Sequence, residues 1–140
     1  MALPQSDVNI SPRALEGVRI VDFTWVRAGP WATRWLGALG AEVIKVEWPL
    51  NDRGRLTGTV SNPPGMERTY NTSGFFNDTN ANKLGVTMNV RSPKGIELIK
   101  RLISLSDVVI ENFSSRVLQN WGLGYEELCK LNPQIVYVSM

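Results

Sequence analysis

The sequence has no histidine and only one cysteine, Cys129, in its 140 residues. A single cysteine excludes an internal disulfide, and the lack of histidine excludes both histidine general-base catalysis and the common Cys/His zinc sites from this stretch. No apolar run approaches the ~18 residues of a membrane helix, and the N-terminal residues lack the basic region and apolar core of a signal peptide. These absences predict a cytoplasmic protein with no membrane partner.

The sequence also lacks a strong excess of charge. Its 15 Lys and Arg residues are nearly balanced by 13 Asp and Glu residues, which leaves a formal charge of +2. The basic residues are spread along the chain rather than clustered, so the charge pattern predicts no nucleic-acid partner. With 43% hydrophobic residues, the composition is typical of one globular domain.

Short apolar runs rich in β-branched residues alternate with stretches of helical periodicity. Strands are predicted at 18–23, 42–47, 84–90, 108–111 and 135–140. Helices are predicted from Trp31 to Gly40, over 93–104, 117–121 and 126–131, with a short helical turn within 74–82 and a surface excursion over 48–73. The alternation predicts an α/β fold with a mostly parallel sheet and flanking helices. Because the chain ends inside a strand-like run, we expect it to be the incomplete N-terminal portion of a larger domain.

Ligands of open parallel sheets bind beyond the carboxyl ends of the strands, which draws attention to the segment from Thr24 to Pro30. Backbone amides at the start of the following helix could face an anionic group there, and Arg27 could add a positive charge. The alternative is an ordinary turn that carries a surface arginine. Glu47, at the end of the second strand, imitates the acid of a dinucleotide site, but the sequence has no G-x-G-x-x-G, which argues against nicotinamide or flavin binding.

Three carboxylates, those of Asp22, Glu47 and Glu111, fall at predicted strand ends. Together they raise the question of a magnesium site or an acid/base pair. The spacing does not favour metal geometry, so hydrogen bonds from helix-start amides or ion pairs with arginines are the preferred interpretation, and no metal is expected. The arginines considered as partners are Arg27, Arg34 and Arg53.

Four of the five tryptophans, Trp25, Trp31, Trp35 and Trp48, fall within the first strand–helix–strand unit. This density predicts a large buried aromatic surface, either in the core or at a subunit interface, with a stacking platform for adenine as the alternative. Cys129 follows Leu128 on a short predicted helix, which favours a buried, inert thiol over a nucleophile.

Several strings in succession resemble the N-terminal part of the family III CoA-transferases, a family that includes formyl-CoA and carnitine CoA-transferases and the α-methylacyl-CoA racemases. The strings are LEGVRIVDFTWVRAGP (15–30), LGAEVIKVEWP (39–49), NKLGVTMNVRSPKG (82–95), DVVIENF (107–113), VLQNWGLGYEEL (117–128) and NPQIVYVSM (132–140). Their order and spacing over residues 15–140 are specific, although no single string is diagnostic.

The resemblance implies that residues 1–14 form an N-terminal arm and residues 15–140 the N-terminal part of a Rossmann-like, CoA-binding large domain. The complete chain would have roughly 400 residues, well above the usual single-domain size, and would form an interlocked homodimer. Its substrates would be an acyl-CoA and a carboxylic acid, with coenzyme A as the group transferred. The nucleophilic aspartate of the family would lie beyond Met140, so that no catalytic residue is expected here.

By the same resemblance, seven positions are candidate CoA contacts. They are Val26, Arg27, Ala28, Met88, Arg91, Asn112 and Phe113. Arg91 could meet a phosphate, while Met88 and Phe113 could flank the adenine or pantetheine. Family members often have arginine where this sequence has Trp48, so the phosphate contacts differ from the common pattern. Two alternatives remain open, an α-methylacyl-CoA racemase of the same family and a non-catalytic nucleotide-binding or assembly module.

Overall fold

The computed structural model describes residues 12–48 and 71–140, together with Arg55, Gly65, Glu67 and Thr69. Its strands are β1 (Arg19–Asp22), β2 (Glu42–Glu47), β3 (Lys83–Thr87), β4 (Val108–Glu111) and β5 (Val136–Ser139). Its helices are α1 (Ala28–Ala38), α2 (Gly74–Thr79), α3 (Pro93–Ser104), α4 (Val117–Asn120) and α5 (Tyr125–Leu131). Most of the predicted arm and of the predicted excursion over 48–73 lies outside the described residues. Within the described part of the chain, no helix has the length and apolar character needed to cross a membrane.

The five strands form one sheet in the order β3-β2-β1-β4-β5. All four neighbouring pairs are parallel, with Val21 opposite Ile44 on one side and Val109 on the other. This order confirms the predicted α/β, Rossmann-like architecture. The strand order reverses between β1 and β4, so the crevice where such sheets bind ligands lies above those two strands.

Apolar side chains cover both faces of the sheet, as expected for parallel strands. On one face, Val21, Val46 and Val109 pack against Ile99 and Ile103 of α3. On the other face, Ile20, Val43 and Ile110 form a second cluster with partly buried Leu36 of α1. Two helical layers therefore enclose the sheet and leave its carboxyl edge for binding.

Helix α3 begins as its sequence predicts. The Ser92 hydroxyl accepts a hydrogen bond from the Gly95 amide at 2.9 Å, and Pro93 occupies the first turn. The preceding strand ends at Thr87 rather than at the predicted Val90, because the Asn89 side chain accepts a hydrogen bond from the Arg91 amide and turns the chain toward the helix.

Helix α1 shows a face that the sequence did not predict. The buried positions are Gly29, Pro30, Thr33 and Gly37, whereas Trp31 is 37% exposed and Trp35 is 53% exposed. Small residues let the helix backbone approach its neighbours: a Cβ atom on Gly37 would lie 2.9 Å from the Asn82 carbonyl oxygen. Trp31 and Trp35 therefore point outward, whereas Leu36 packs on the core.

The prediction that these tryptophans lie in the core is therefore wrong for α1, while their place at a subunit interface stays a prediction. The Trp31 and Trp35 rings meet edge to face, and the Arg34 guanidinium lies 4.9 and 5.6 Å from their centroids. Only Trp25 and Trp48 of the four are half-buried. Cys129 is half-buried as well and packs beside the core.

Candidate functional site

The site begins at the turn between β1 and α1, which we call the β1–α1 turn and which comprises Phe23 to Arg27. Asp22 ends β1 with its carboxylate fully buried, and this carboxylate accepts hydrogen bonds from both the amide and the hydroxyl of Thr24. The chain then rises to Val26 and enters α1 at Ala28 without a side-chain cap. The first amides of α1 are therefore directed toward the carboxyl edge of the sheet.

Asn112, which follows β4, ties the β1–α1 turn across the crevice. Its side-chain oxygen accepts a hydrogen bond from the Trp25 amide at 2.7 Å, and its side-chain nitrogen donates to the Trp25 carbonyl at 2.8 Å. Both polar atoms of the side chain are thereby engaged with backbone. Asn112 thus fixes the two sides of the crevice relative to one another.

Beneath the β1–α1 turn lies a cluster of three buried charged residues, Asp22, Lys45 and Lys83, hereafter the buried charge cluster. The Lys83 ammonium donates to the Asp22 carboxylate at 2.9 Å and to the Pro30 carbonyl at 3.0 Å. The Lys45 ammonium donates to the Thr24 carbonyl at 2.7 Å. Three neighbouring strands thereby bring charge to the backbone at both ends of the turn.

The pKa values within the buried charge cluster follow from its geometry. Burial alone raises the pKa of the Asp22 carboxyl, but Lys45, Lys83 and the hydroxyls of Thr24 and Thr33 together hold it below its ordinary value. Burial lowers the pKa of Lys83 to about 8, against the opposing effect of Asp22. Asp22 is thus ionised at neutral pH, and Lys83 loses its proton more readily than an exposed lysine does.

The lowered pKa of Lys83 makes the stability of the protein depend on pH. Between pH 8 and the ordinary lysine value of 10.5, the unfolded chain binds more protons at this residue than the folded chain. The free energy of unfolding should therefore rise across this window by at most about 1.4 kcal/mol per pH unit. Urea unfolding at pH 7, 8, 9 and 10 measures it. The Lys83→Met variant keeps every other titrating group, so the rise in the wild type should exceed that in the variant; parallel curves would contradict the account.

Val26 has an unusual backbone conformation at the tip of the turn. Its φ of 63° lies in the left-handed region, which a β-branched residue rarely occupies, and its side chain is 73% exposed. No burial of that side chain compensates for the conformation. Hydrogen bonds on either side of Val26, between Trp25 and Asn112 and from the Trp31 amide to the Arg27 carbonyl, hold the turn in this conformation.

We expect Val26→Gly to leave the free energy of unfolding unchanged or to raise it by about 1 kcal/mol, because glycine adopts this conformation without strain. The matched control is Val136→Gly, at a half-exposed valine of the edge strand β5 with extended backbone. That control should lose about 1 kcal/mol. Chemical unfolding of both variants provides the measurement, and equal losses would show that Val26 is not strained.

Aromatic side chains line the side of the crevice that follows β4. The Phe113 ring meets the rings of Trp25 and Trp121 edge to face, at centroid distances of 5.3 and 5.4 Å. Phe113 is itself half-buried and contacts the core. This aromatic row gives the crevice an apolar wall beside the polar turn.

Met88 and Arg91 lie beyond the carboxyl end of β3, on the opposite side of β2. Met88 continues the strand through a hydrogen bond from its amide to the Glu47 carbonyl and packs against the core. Arg91 is exposed, and its guanidinium lies 4.6 Å from the centroid of the Trp48 ring. The Trp48 ring thereby supports the guanidinium of Arg91, which comes from the loop after β3.

The three strand-end carboxylates each have partners of their own. Arg55 binds Glu47 through two nitrogens at 2.6 and 2.8 Å, and Glu111 accepts hydrogen bonds from the Phe113 amide and the Tyr137 hydroxyl. Asp22 pairs with lysine rather than arginine. Two of the expected arginine partners are wrong, because Arg34 pairs with Asp78 and the Arg27 guanidinium lies over the Phe75 ring. The third, Arg53, lies outside the described residues. Among the described residues, no group of three or more acidic or cysteine side chains could hold a metal ion.

The structure thus brings together the β1–α1 turn residues Val26, Arg27 and Ala28 with Asn112 and Phe113, while Met88 and Arg91 lie two strands away along the same edge. Lys45 and Lys83 were missed by sequence reasoning. Lys45 could have been recognised from the sequence, because a lysine inside the apolar run EVIKVE must find a polar partner once the strand is buried.

Comparison with known proteins agrees with this geometry. The model of the family described as CoA-transferase family III matches residues 15–140. A human succinyl-CoA:glutarate CoA-transferase is 46% identical over 98% of this chain, and a formyl-CoA:oxalate CoA-transferase from Streptomyces coelicolor is 37% identical over 94% of it. The chain spans about 30% of the length of either relative.

A solved structure of a CAIB/BAIF family protein from Brucella suis superposes with a TM-score of 0.79 at 38% identity, covering 92% of this chain and 33% of that one. The residues matched by the family, 15–140, include the β1–α1 turn and the loop after β4. The chain therefore belongs to CoA-transferase family III.

Proposed function

We propose that this chain is the N-terminal, CoA-binding portion of a CoA-transferase that moves CoA from an acyl-CoA donor to a carboxylic acid acceptor. The observation that carries the proposal is the fixed β1–α1 turn at the point where the strand order reverses, in a member of a family whose relatives are named as CoA-transferases. Coenzyme A is the substrate and acyl carrier, and no metal takes part.

The candidate contacts lie at two places on the carboxyl edge of the sheet, one at the start of α1 and after β4, the other after β3, and we propose that different parts of CoA bind at each. The amides of Arg27 and Ala28 at the start of α1 offer donors to the diphosphate, because helix N-termini favour anions. Arg91 adds a guanidinium for a phosphate, and its stacking on Trp48 limits the positions that it can take. Met88 and Phe113 supply apolar surface for the adenine or pantetheine.

Asn112 has a different role in this proposal from the one that the resemblance implied. Its oxygen and nitrogen are both engaged with the Trp25 backbone. Its contribution to CoA binding is therefore to hold the turn in place, and any contact that it makes with the ligand is by van der Waals packing.

The proposed reaction divides between this chain and the rest of the protein. An aspartate beyond Met140 attacks the thioester carbonyl and expels CoA as thiolate, which leaves an acyl-enzyme anhydride. The thiolate then attacks the aspartyl carbonyl, which releases the donor as its free carboxylate and leaves CoA on the enzyme as a thioester. The acceptor carboxylate attacks that thioester and expels the CoA thiolate again, and the thiolate attacks the acceptor carbonyl of the new anhydride, which gives the product acyl-CoA and regenerates the aspartate. The residues described above bind and orient the CoA part throughout. An interlocked homodimer and a cytoplasmic location belong to the same proposal.

A transfer assay with the intact protein tests this function. Succinyl-CoA with glutarate and formyl-CoA with oxalate are the first donor and acceptor pairs to use, since relatives are named for them. We expect a new acyl-CoA to form with one pair or with a related acid. Exchange of an α-proton with deuterated solvent, without transfer, would indicate the racemase instead, and CoA binding without either reaction would indicate the binding module.

Two arginine variants, compared in the same assay, test whether Arg91 binds CoA. Arg91→Ala should raise the KM for acyl-CoA about tenfold, because a charge-assisted contact to phosphate is lost. Arg101→Ala, at an exposed arginine in the last turn of α3, is the matched control and should leave the KM unchanged. Equal effects of the two substitutions would remove Arg91 from the site.

A further inference from the structure

The buried charge cluster has no counterpart among the candidate CoA contacts, yet all three of its members bind the backbone that leads into or out of the β1–α1 turn. Asp22 accepts from the Thr24 amide at 2.7 Å, and Lys45 donates to the Thr24 carbonyl at 2.7 Å. Lys83 donates to the Pro30 carbonyl at 3.0 Å. Thr24 lies before Val26 and Pro30 after it, so the cluster holds the turn from both ends.

The location of these contacts is unusual for charged side chains. The Lys83 and Asp22 side chains are 2% and 0% exposed, and Lys45 is buried as well. Burying charge is costly, and an apolar set of similar volume often stabilises a fold as well or better. A purely structural role therefore gives little reason for three charged groups at this position, whereas fixing a particular backbone geometry requires strong and directional donors.

We propose that Asp22, Lys45 and Lys83 are positioning residues for CoA, which hold the strained β1–α1 turn in the geometry that presents the first amides of α1 to the CoA diphosphate. This inference rests on the proposed function. Two ammonium groups against one carboxylate leave the cluster with a net positive charge behind the turn, and this charge attracts an anion bound at the turn.

If these residues position the turn, their loss should weaken the binding of the CoA diphosphate and not the binding of the rest of the ligand. A turn that has lost its positioning donors should bind the diphosphate poorly, while contacts to the pantetheine remain. The quantity to measure is therefore the ratio of the dissociation constants of pantetheine and CoA, determined by calorimetry or by competition with the intact protein. A residue that only stabilises the fold would leave this ratio unchanged.

The variants are Lys45→Met and Lys83→Met, which remove the ammonium groups and keep most of the side-chain length. Lys45→Gln or Lys83→Gln, which removes the positive charge and shortens the side chain but keeps it polar, takes the place of the corresponding methionine variant if that variant does not fold. Thr33→Val is the matched control. The Thr33 hydroxyl donates to Asp22 at 2.7 Å and lies 3.2 Å from the Gly29 and Pro30 carbonyls, so the variant disturbs the cluster but leaves both ammonium donors, to the Thr24 and Pro30 carbonyls, in place.

We expect the lysine variants to weaken CoA binding at least tenfold, to leave pantetheine binding within twofold, and so to reduce the ratio about tenfold. The Thr33→Val variant should lower the melting temperature and preserve the ratio. If the lysine variants keep the wild-type ratio while the wild type binds CoA, the positioning role is overturned and the proposed function stands. If the wild-type protein itself does not bind CoA, both are overturned.

Discussion

The Asp22→Ala variant is expected to lose about 3–5 kcal/mol of unfolding free energy, because breaking a buried ion pair by removing one partner leaves the other charge without compensation. In this protein the Lys83 ammonium lies 2.9 Å from the deleted carboxylate, and Lys45 interacts with it electrostatically. The Thr24 amide also loses its acceptor, and the Thr33 hydroxyl loses the shortest of its three contacts and keeps those to the Gly29 and Pro30 carbonyls. For a domain whose total stability is about 5–15 kcal/mol, such a loss leaves a large unfolded fraction.

Chemical unfolding followed by circular dichroism measures the effect. The matched control is Asp78→Ala, since Asp78 forms an ion pair with Arg34 on the surface at 2.8 Å. An exposed pair contributes at most about 1 kcal/mol, so the control should remain folded. Equal losses for the two alanine variants would show that Asp22 and the lysines are not the buried unit described here.

The second large effect is expected at Gly29, in the first turn of α1. A Cβ atom at this position would lie 2.4 Å from Thr24 Cβ, 2.6 Å from Thr24 Cγ2 and 3.1 Å from Asn112 Cγ. These atoms belong to the two residues that anchor the turn, and they have little room to move. Gly29→Ala should therefore cost about 3 kcal/mol through overpacking and should also weaken CoA binding, since relief of the clash displaces the turn.

Gly85→Ala on β3 is the control for this substitution. Within the part of the chain that the structure describes, the one close atom that an added methyl group would meet there is Glu47 Oε1 at 3.1 Å, at the end of a side chain. The control should lose less than about 1 kcal/mol and should keep its affinity for CoA. A Gly29→Ala variant with the stability and CoA affinity of this control would contradict the close packing of α1 on the turn.

The architecture could be predicted because local signals agree with the tertiary structure. Apolar runs of four to six residues become strands, and Ser92 with Pro93 starts α3 as the capping rules require. Parallel pairing follows from the intervening helices. For α1 the same reasoning selected the wrong face, because hydrophobic periodicity detects large residues and does not detect close packing by Gly29 and Gly37.

The position of the site on the sheet could be predicted from the sequence, but the contacts between its residues could not. The rule for parallel sheets points to the segments after β1 and β4, and the structure joins them through Asn112. The buried charge cluster depends on contacts across three strands, with Lys83 lying 61 residues from Asp22. No periodicity or spacing rule connects residues so far apart, and the family resemblance concerned ligand contacts rather than the groups beneath them.

The most direct test of the central claim, that CoA binds above the β1–α1 turn, is a crystal structure of the intact protein with CoA. The account predicts the diphosphate within hydrogen-bonding distance of the Arg27 or Ala28 amide, with Arg91 at a phosphate and Phe113 beside the apolar part of the ligand. The turn should keep its hydrogen bonds to Asn112 and Lys45. CoA bound at another place on the protein, with the β1–α1 turn facing only solvent, would contradict the account.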